Sequence, residues 1–155
     1  MKPTRKDRLV LAVDFGDRRT GLAGTAGEGG LAFPLTVIDS RDRRVVTEEI
    51  RRVVSERGVD LVLVGIPLAP DGGLGARGKI TLEFARELAR VLEPVPVEGI
   101  DERHSSSDAH ERLKGAGMKA ARRKKKGVDA VAALVLLESW LNGEDSFPLD
   151  RFPST

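Results

Sequence analysis

Hydrophobic positions along the chain change period part-way. "RLVLAVDFG" (Arg8–Gly16) is a short apolar run closed by glycine, the pattern of a largely buried strand. "RTGLAGTAG" (Arg19–Gly27) follows almost at once and is rich in small residues. "LAFPLTVID" (Leu31–Asp39) is a third run, and its Pro34 suits an edge strand or a bulge because proline has no N–H to give a ladder. The links are too short for helical crossovers, so the three runs predict an antiparallel meander, with Gly27–Gly30 as one turn.

The period then becomes helical. Val46, Ile50, Val53 and Val54 share one face of an amphipathic helix running from near Ser40 to Gly58. "VDLVLVGIP" (Val59–Pro67) is a buried strand stopped by Pro67. The glycine-rich "LAPDGGLGARG" (Leu68–Gly78) leads to a second helix through Ile80, Phe84, Leu88 and Leu92, with Pro94 beyond its end. "VPVEGI" (Val95–Ile100) is a fifth, shorter strand. In "DERHSSSDAHERL" (Asp101–Leu113) the serines are candidate N-caps of a short helix. A flexible Gly/Lys/Arg stretch leads into "VDAVAALVLLESWLNG" (Val128–Gly143), a helix apolar nearly all round and so expected to be buried. The expected division is one domain over residues 1–142 and an irregular proline-bearing tail over 143–155.

The order β-β-β-α-β-α-β-α-α predicts an α/β fold with a five-stranded mixed sheet, its first strand central and parallel to the fourth and fifth. Ligands of such sheets bind outside the carboxyl ends of the parallel strands. Asp14 stands at that end of the first strand, and Asp101 and Glu102 at that end of the fifth. Asp129 opens the last helix and reaches the same edge if that helix packs back across the sheet. Three separated acids would then converge, which is what a divalent-metal site requires. Taken singly each acid has a plainer reading: Asp14 fits a turn cap, a phosphate loop or a metal ligand, and Asp129 fits a first-turn acid favoured by the helix dipole.

Composition narrows the partners. The 155 residues fit one domain, and 40% hydrophobic with 32% charged residues reads as soluble and globular. Aromatics at 4% leave few stacking platforms for bases. No apolar run approaches the ~20 residues of a membrane span, and the basic N-terminus lacks a signal core. Zero cysteines exclude disulfides, thiolate catalysis and cysteine-based zinc sites, and fit a reduced cytoplasm. Net charge is only +2, but cations cluster at Lys2, Arg5, Lys6 and Arg8, in "RDRR" (Arg41–Arg44) and in "KAARRKKK" (Lys119–Lys126). Such clusters suit a polyanion, because they neutralise phosphates and release counterions; taken alone, each also fits a solvated face.

"AVDFGDRRTGLA" (Ala12–Ala23), "PLTVI" (Pro34–Ile38), "LVGIPLAPDG" (Leu63–Gly72), "DERHSS" (Asp101–Ser106) and "KKKGVDAVAALVLLESWL" (Lys124–Leu141) together resemble the YqgF-type family. These are pre-16S rRNA nucleases, also called Holliday-junction-resolvase-like proteins, of the ribonuclease H-like superfamily. The motifs keep family order and spacing over nearly the whole chain. Two departures stand out: Ala69 where the family usually has asparagine, and His104 where it usually has leucine. The first weakens any side-chain role there; the second leaves the adjacent carboxylates intact.

The resemblance implies a three-layer ribonuclease H-like α/β/α fold and metal-dependent phosphodiester hydrolysis. Asp14, Glu102 and Asp129 match the family's catalytic acids, with Asp101 beside them as a further metal-ligand candidate. Mg²⁺ or Mn²⁺ is the implied cofactor, in a two-metal site, since carboxylate oxygens suit both ions. Glu102 is favoured over Asp101 as direct ligand, because adjacent strand residues point to opposite faces. The nucleic-acid candidates are Arg103, Arg122, Arg123, Lys124, Lys125 and Lys126, with Arg103 equally able to pair with a neighbouring carboxylate. His104 and His110 read as surface or supporting residues, and Thr20 and Gly21 as hairpin formers. Gly65 and Asp71–Gly73 read either as turn makers or as points of close phosphate approach. The implied partner is pre-rRNA or branched DNA, with no membrane; junction cleavage would favour a homodimer and rRNA trimming a monomer. Two rival classes are an actin- or Hsp70-like ATPase, whose phosphate loop "DFGDRRTG" resembles, and a non-catalytic nucleic-acid-binding factor. An ATPase of that kind needs two large lobes, and a mere binder gains nothing from acids facing phosphates.

Overall fold

A computed structural model describes residues 4–26, 30–102 and 118–153, with side chains of the last stretch described from Ala130 onward. Strands β1 (Val10–Asp14), β2 (Arg19–Ala26) and β3 (Leu31–Asp39) form the antiparallel meander. Helix α1 (Arg43–Arg57), strand β4 (Leu61–Ile66), helix α2 (Ala76–Leu92) and strand β5 (Val97–Asp101) follow as the alternating half. The sheet order is β3-β2-β1-β4-β5-β6, with β1 central and parallel to β4, and β4 parallel to β5.

Pro34 does lie on the edge strand, and the β2–β3 register slips next to it, between Leu22 and Ala23. Asp42 caps α1 by accepting from the Arg44 backbone N–H at 2.9 Å, and Gly58 ends the helix in the left-handed conformation (φ 64°).

Two expectations are corrected. The sheet has six strands, not five, because Phe147–Pro148 of the supposedly irregular tail pairs with β5 as β6. Gly99 makes this possible: a Cβ there would stand 2.5 Å from the Phe147 ring, so the bare backbone is the socket in which that ring is buried. Arg86 holds the tail by donating to the Leu149 and Phe152 carbonyls. The last helix, α3 (Met118–Leu141), begins well before Val128 and takes in the basic run expected to be flexible. Ala, Lys, Arg and Met are strong helix formers, and one internal Gly127 costs only about 1 kcal/mol.

Alternation along the strands puts two cores on the two sheet faces. Leu11, Val13, Val62, Val64 and Val97 face α1 and α2, meeting Val46, Ile50, Phe84 and Leu88. Val10, Ala12, Leu61, Leu63 and Ile100 face α3, meeting Ala133, Leu136, Leu137 and Trp140. The result is the expected three-layer α/β/α sandwich. Arg5 fixes the far end of α3, donating to the carbonyls of Trp140 at 2.6 Å and Glu144 at 2.8 Å.

Candidate active site

Asp14 closes β1 on the face set by Val10 and Ala12, the face that α3 covers. Opposite it on β2 is Gly21, and on β4 Gly65 stands one step past the Val13–Val64 pairing. Neither neighbouring strand raises a side chain beside the carboxyl on this face.

Glu102 follows β5 directly, and its amide donates to the Ile66 carbonyl at 3.3 Å, extending the ladder. It shares the α3 face with Ile100. Asp101, in register with Ile66, falls on the opposite face with Val97 and Gly99. The Glu102 carboxyl lies back over Gly65: a Cβ at that glycine would be 2.5 Å from Oε2 and 2.6 Å from Leu136 Cδ1. The β4 backbone is thus the floor of the site and Leu136 part of its roof, and Oε2 is closed off from solvent.

This enclosure sets the electrostatics. Burial, more than any other cause, drives the Glu102 carboxyl up to about 9, since desolvation disfavours the charged form. The negative charge of Asp14 and a hydrogen bond between the two carboxyls push the same way. Arg77 opposes the rise, and Asp101 adds to it. At neutral pH the pair therefore holds a proton: two carboxyls are brought together where both cannot ionise without a nearby cation.

Arg77 comes from the first turn of α2. Its Nη1 donates to Asp17 Oδ1 at 2.6 Å and its Nη2 to the Phe15 carbonyl at 3.0 Å. Its guanidinium lies 5.5 Å from the centre of the Phe15 ring, which stacks on Phe84 at 4.0 Å. Phe15, the residue after Asp14, is thereby held by α2 at its carbonyl and by the core at its ring.

Among the described residues no group of three His, Cys, Asp or Glu side chains forms a metal-binding cluster. Asp129 falls on α3, one turn before Ala133, which packs on the sheet; its side chain lies outside the described residues. So do the side chains of Arg122, Arg123, Lys124, Lys125 and Lys126, and so do Arg103, His104, His110 and the short helix expected after Asp101. Asp101 acts on Glu102 as a neighbouring negative charge. The donors that are placed fit a hard divalent cation: two carboxyls pressed together over a glycine floor offer oxygen ligands and lack only positive charge.

The model of the RuvX family, described as Holliday junction resolvase, matches residues 8–143. The chain belongs to this family. A Chloroflexus aurantiacus relative named "Putative pre-16S rRNA nuclease" is 37% identical over 142 residues, covering 92% of either chain. A Synechococcus relative of the same name is 37% identical over 146 residues, covering 94% of this chain and 95% of its own. Among solved structures, T. thermophilus RuvC in complex with Holliday junction substrate superposes with a TM-score of 0.58 at 17% identity, covering 90% of this chain and 99% of that one. A fowlpox virus resolvase bound to Holliday junction DNA gives a TM-score of 0.57 at 10% identity, covering 86% of this chain and 97% of that one. At such identities the two structures show the shared ribonuclease H-like fold.

Two residues of this RuvX-family site have places that the sequence reading did not foresee. Gly65 makes no turn: it lies within β4 and is the floor under Glu102, and a glycine inside an otherwise apolar strand was its signal. Arg77 had only a weak one, an arginine just inside a helix that follows a glycine-rich loop. No helix among the described residues is long and apolar enough to cross a membrane.

Proposed function

We propose that the chain is an endonuclease that hydrolyses phosphodiester bonds with Mg²⁺ or Mn²⁺ held by Asp14, Glu102 and Asp129, and that its substrate is the 5′ leader of pre-16S rRNA. The observation that carries this is the Asp14–Glu102 pair over Gly65, buried enough to hold Glu102 at about 9. A structural carboxyl gains nothing from such a place; a ligand does. When bound, such ions neutralise phosphoryl charge and steady the attacking and leaving oxygens of an in-line displacement. The chain's own part is to fix the donors. β1 and β5 bring Asp14 and Glu102 to one face, Gly65 lets their carboxyls meet, and Arg77 anchors the Phe15 carbonyl beside Asp14. Leu136 keeps water from one side. Arg103, Arg122, Arg123 and Lys124–Lys126 supply phosphate contacts, and the cytoplasm is the compartment that this substrate requires.

The family model's description favours a second reading, resolution of branched DNA. Two symmetric cuts would then need two sites and hence a homodimer. One experiment separates the readings: wild type and Asp14→Asn are incubated with labelled pre-rRNA leader and with a four-way DNA junction, each with Mg²⁺, Mn²⁺ or EDTA. Cutting of the leader, lost with EDTA and with Asp14→Asn, is expected. Cutting of the junction alone moves the function to DNA, and no metal-dependent cutting of either overturns the nuclease mechanism.

A further inference from the structure

Most cations of the described residues are already engaged. Arg8 pairs with Asp60, Arg18 with Asp39, Arg51 with Glu48, Arg52 with Glu49 and Glu56, and Arg43 with Glu83 and Glu87. Six exposed ones, among the described residues, have side chains that meet no carboxylate, carbonyl or ring: Lys6, Arg19, Arg41, Arg44, Lys79 and Arg90. Their distribution is uneven. Lys6 and Arg90 lie at the end of the sheet where β1 starts and α2 finishes. Arg19, Arg41, Arg44 and Lys79 lie at the opposite end, where Asp14 and Glu102 are.

Three of the four form one corner. Arg19 opens β2 in register with Asp39, the last residue of β3; Arg41 follows that strand, and Arg44 is in the first turn of α1. The acids of this corner are spoken for. Asp17 holds Arg77, Asp39 holds Arg18, and Asp42 accepts from the Arg44 backbone N–H. What is left over is positive, and the α1 N-terminus adds its partial positive charge. The corner lies one to two strands from β1, roughly 5–10 Å at ordinary strand spacing, on the side away from β4 and β5.

We propose that Arg19, Arg41 and Arg44 are a backbone-binding track for the nucleic acid cut at Asp14 and Glu102, gripping phosphates a short distance along the strand from the scissile one. The inference rests on the nuclease reading. It gives the "RDRR" segment a partner that the basic run on α3 does not account for. Three cations at this corner neutralise phosphate charge, and phosphate contacts position a strand, so the track sets affinity and register and leaves the cleavage chemistry alone.

The test measures binding by fluorescence anisotropy in EDTA, using a labelled single-stranded RNA carrying the leader sequence and a four-way DNA junction, over a series of KCl concentrations. Each phosphate contact contributes about 0.7–0.9 to the slope of log K against log[salt], so the triple variant Arg19→Gln, Arg41→Gln, Arg44→Gln should lower the slope by about 2–3. The triple Arg→Lys variant should restore it, and Lys6→Gln with Arg90→Gln should leave it unchanged. An unaltered slope in the Gln triple, with wild type binding and cutting normally, overturns the track and leaves the nuclease reading standing. An equal loss per charge in the Lys6/Arg90 control also overturns it, because net charge alone then explains the effect. A wild type that binds neither probe overturns both.

Discussion

Replacing Glu102 with glutamine should make the protein more stable and inactive. The carboxyl titrates near 9 in the folded chain against an ordinary value of 4.5, chiefly because it is buried and faces Asp14. The folded state therefore binds a proton that the unfolded state has released, and stability falls as pH rises from about 4.5 to about 9. At pH 7 the gap spans about 2.5 pH units at 1.36 kcal/mol each, or about 3 kcal/mol. Glutamine keeps the shape, donates to Asp14 through its amide and carries no charge to suppress, so it should recover up to that amount. For a chain of this size 1 kcal/mol moves the melting temperature by about 2–4 °C, so a rise of up to about 6–12 °C is expected at pH 7. Thermal melts at pH 5, 7 and 8 check this without added divalent ions, and the difference between variant and wild type should shrink at pH 5 to about a quarter of its size at pH 7. With excess Mn²⁺ wild type should rise and the variant should not, since only the carboxylate binds the ion; saturation at 100 times Kd corresponds to about 2.7 kcal/mol. A difference independent of pH, or a variant less stable than wild type at pH 8, would refute the reasoning.

Three further outcomes follow from the same contacts. Gly65→Ala pushes a methyl into the Glu102 carboxyl and Leu136, so it should cost about 1–3 kcal/mol in denaturant titrations and depress cleavage. Arg77→Met removes the ties to Asp17 and the Phe15 carbonyl and should lower kcat about 10–100-fold with little change in KM. Because Arg77 holds the Glu102 value down, the ascending limb of the pH–rate profile should also move to higher pH; an unmoved limb would count against its charge. Gly99→Ala, whose methyl meets the Phe147 ring, should release β6 and cost about 1–3 kcal/mol, with earlier cleavage of the tail in limited proteolysis as the readout.

Much of this molecule is local, and so it was legible. Short apolar runs, the apolar face of α1, Gly58 at its end and Pro34 on an edge all act within a few residues, and each is where its local chemistry puts it. Asp14 and Glu102 were legible as strand-end acids, and strand alternation already separated Glu102 from Asp101. The tail misled because "EDSFPLDRFPST" has no period of its own; Phe147 becomes a strand residue only through the socket at Gly99, which lies far away in sequence. The basic run before Asp129 misled in the other direction, its charge suggesting a flexible stretch where helix propensity prevails.

By itself, then, the sequence determined the main elements, their order and the strand-end places of Asp14 and Glu102, because apolar runs, helical period and turn chemistry are properties of short segments. Tertiary structure decided the chemistry of those acids. That the Glu102 carboxyl should lie against Asp14, over a bare Gly65 and under Leu136, depends on three strands and a helix meeting at one point. Only that meeting removes the water that would otherwise keep Glu102 an ordinary carboxylate.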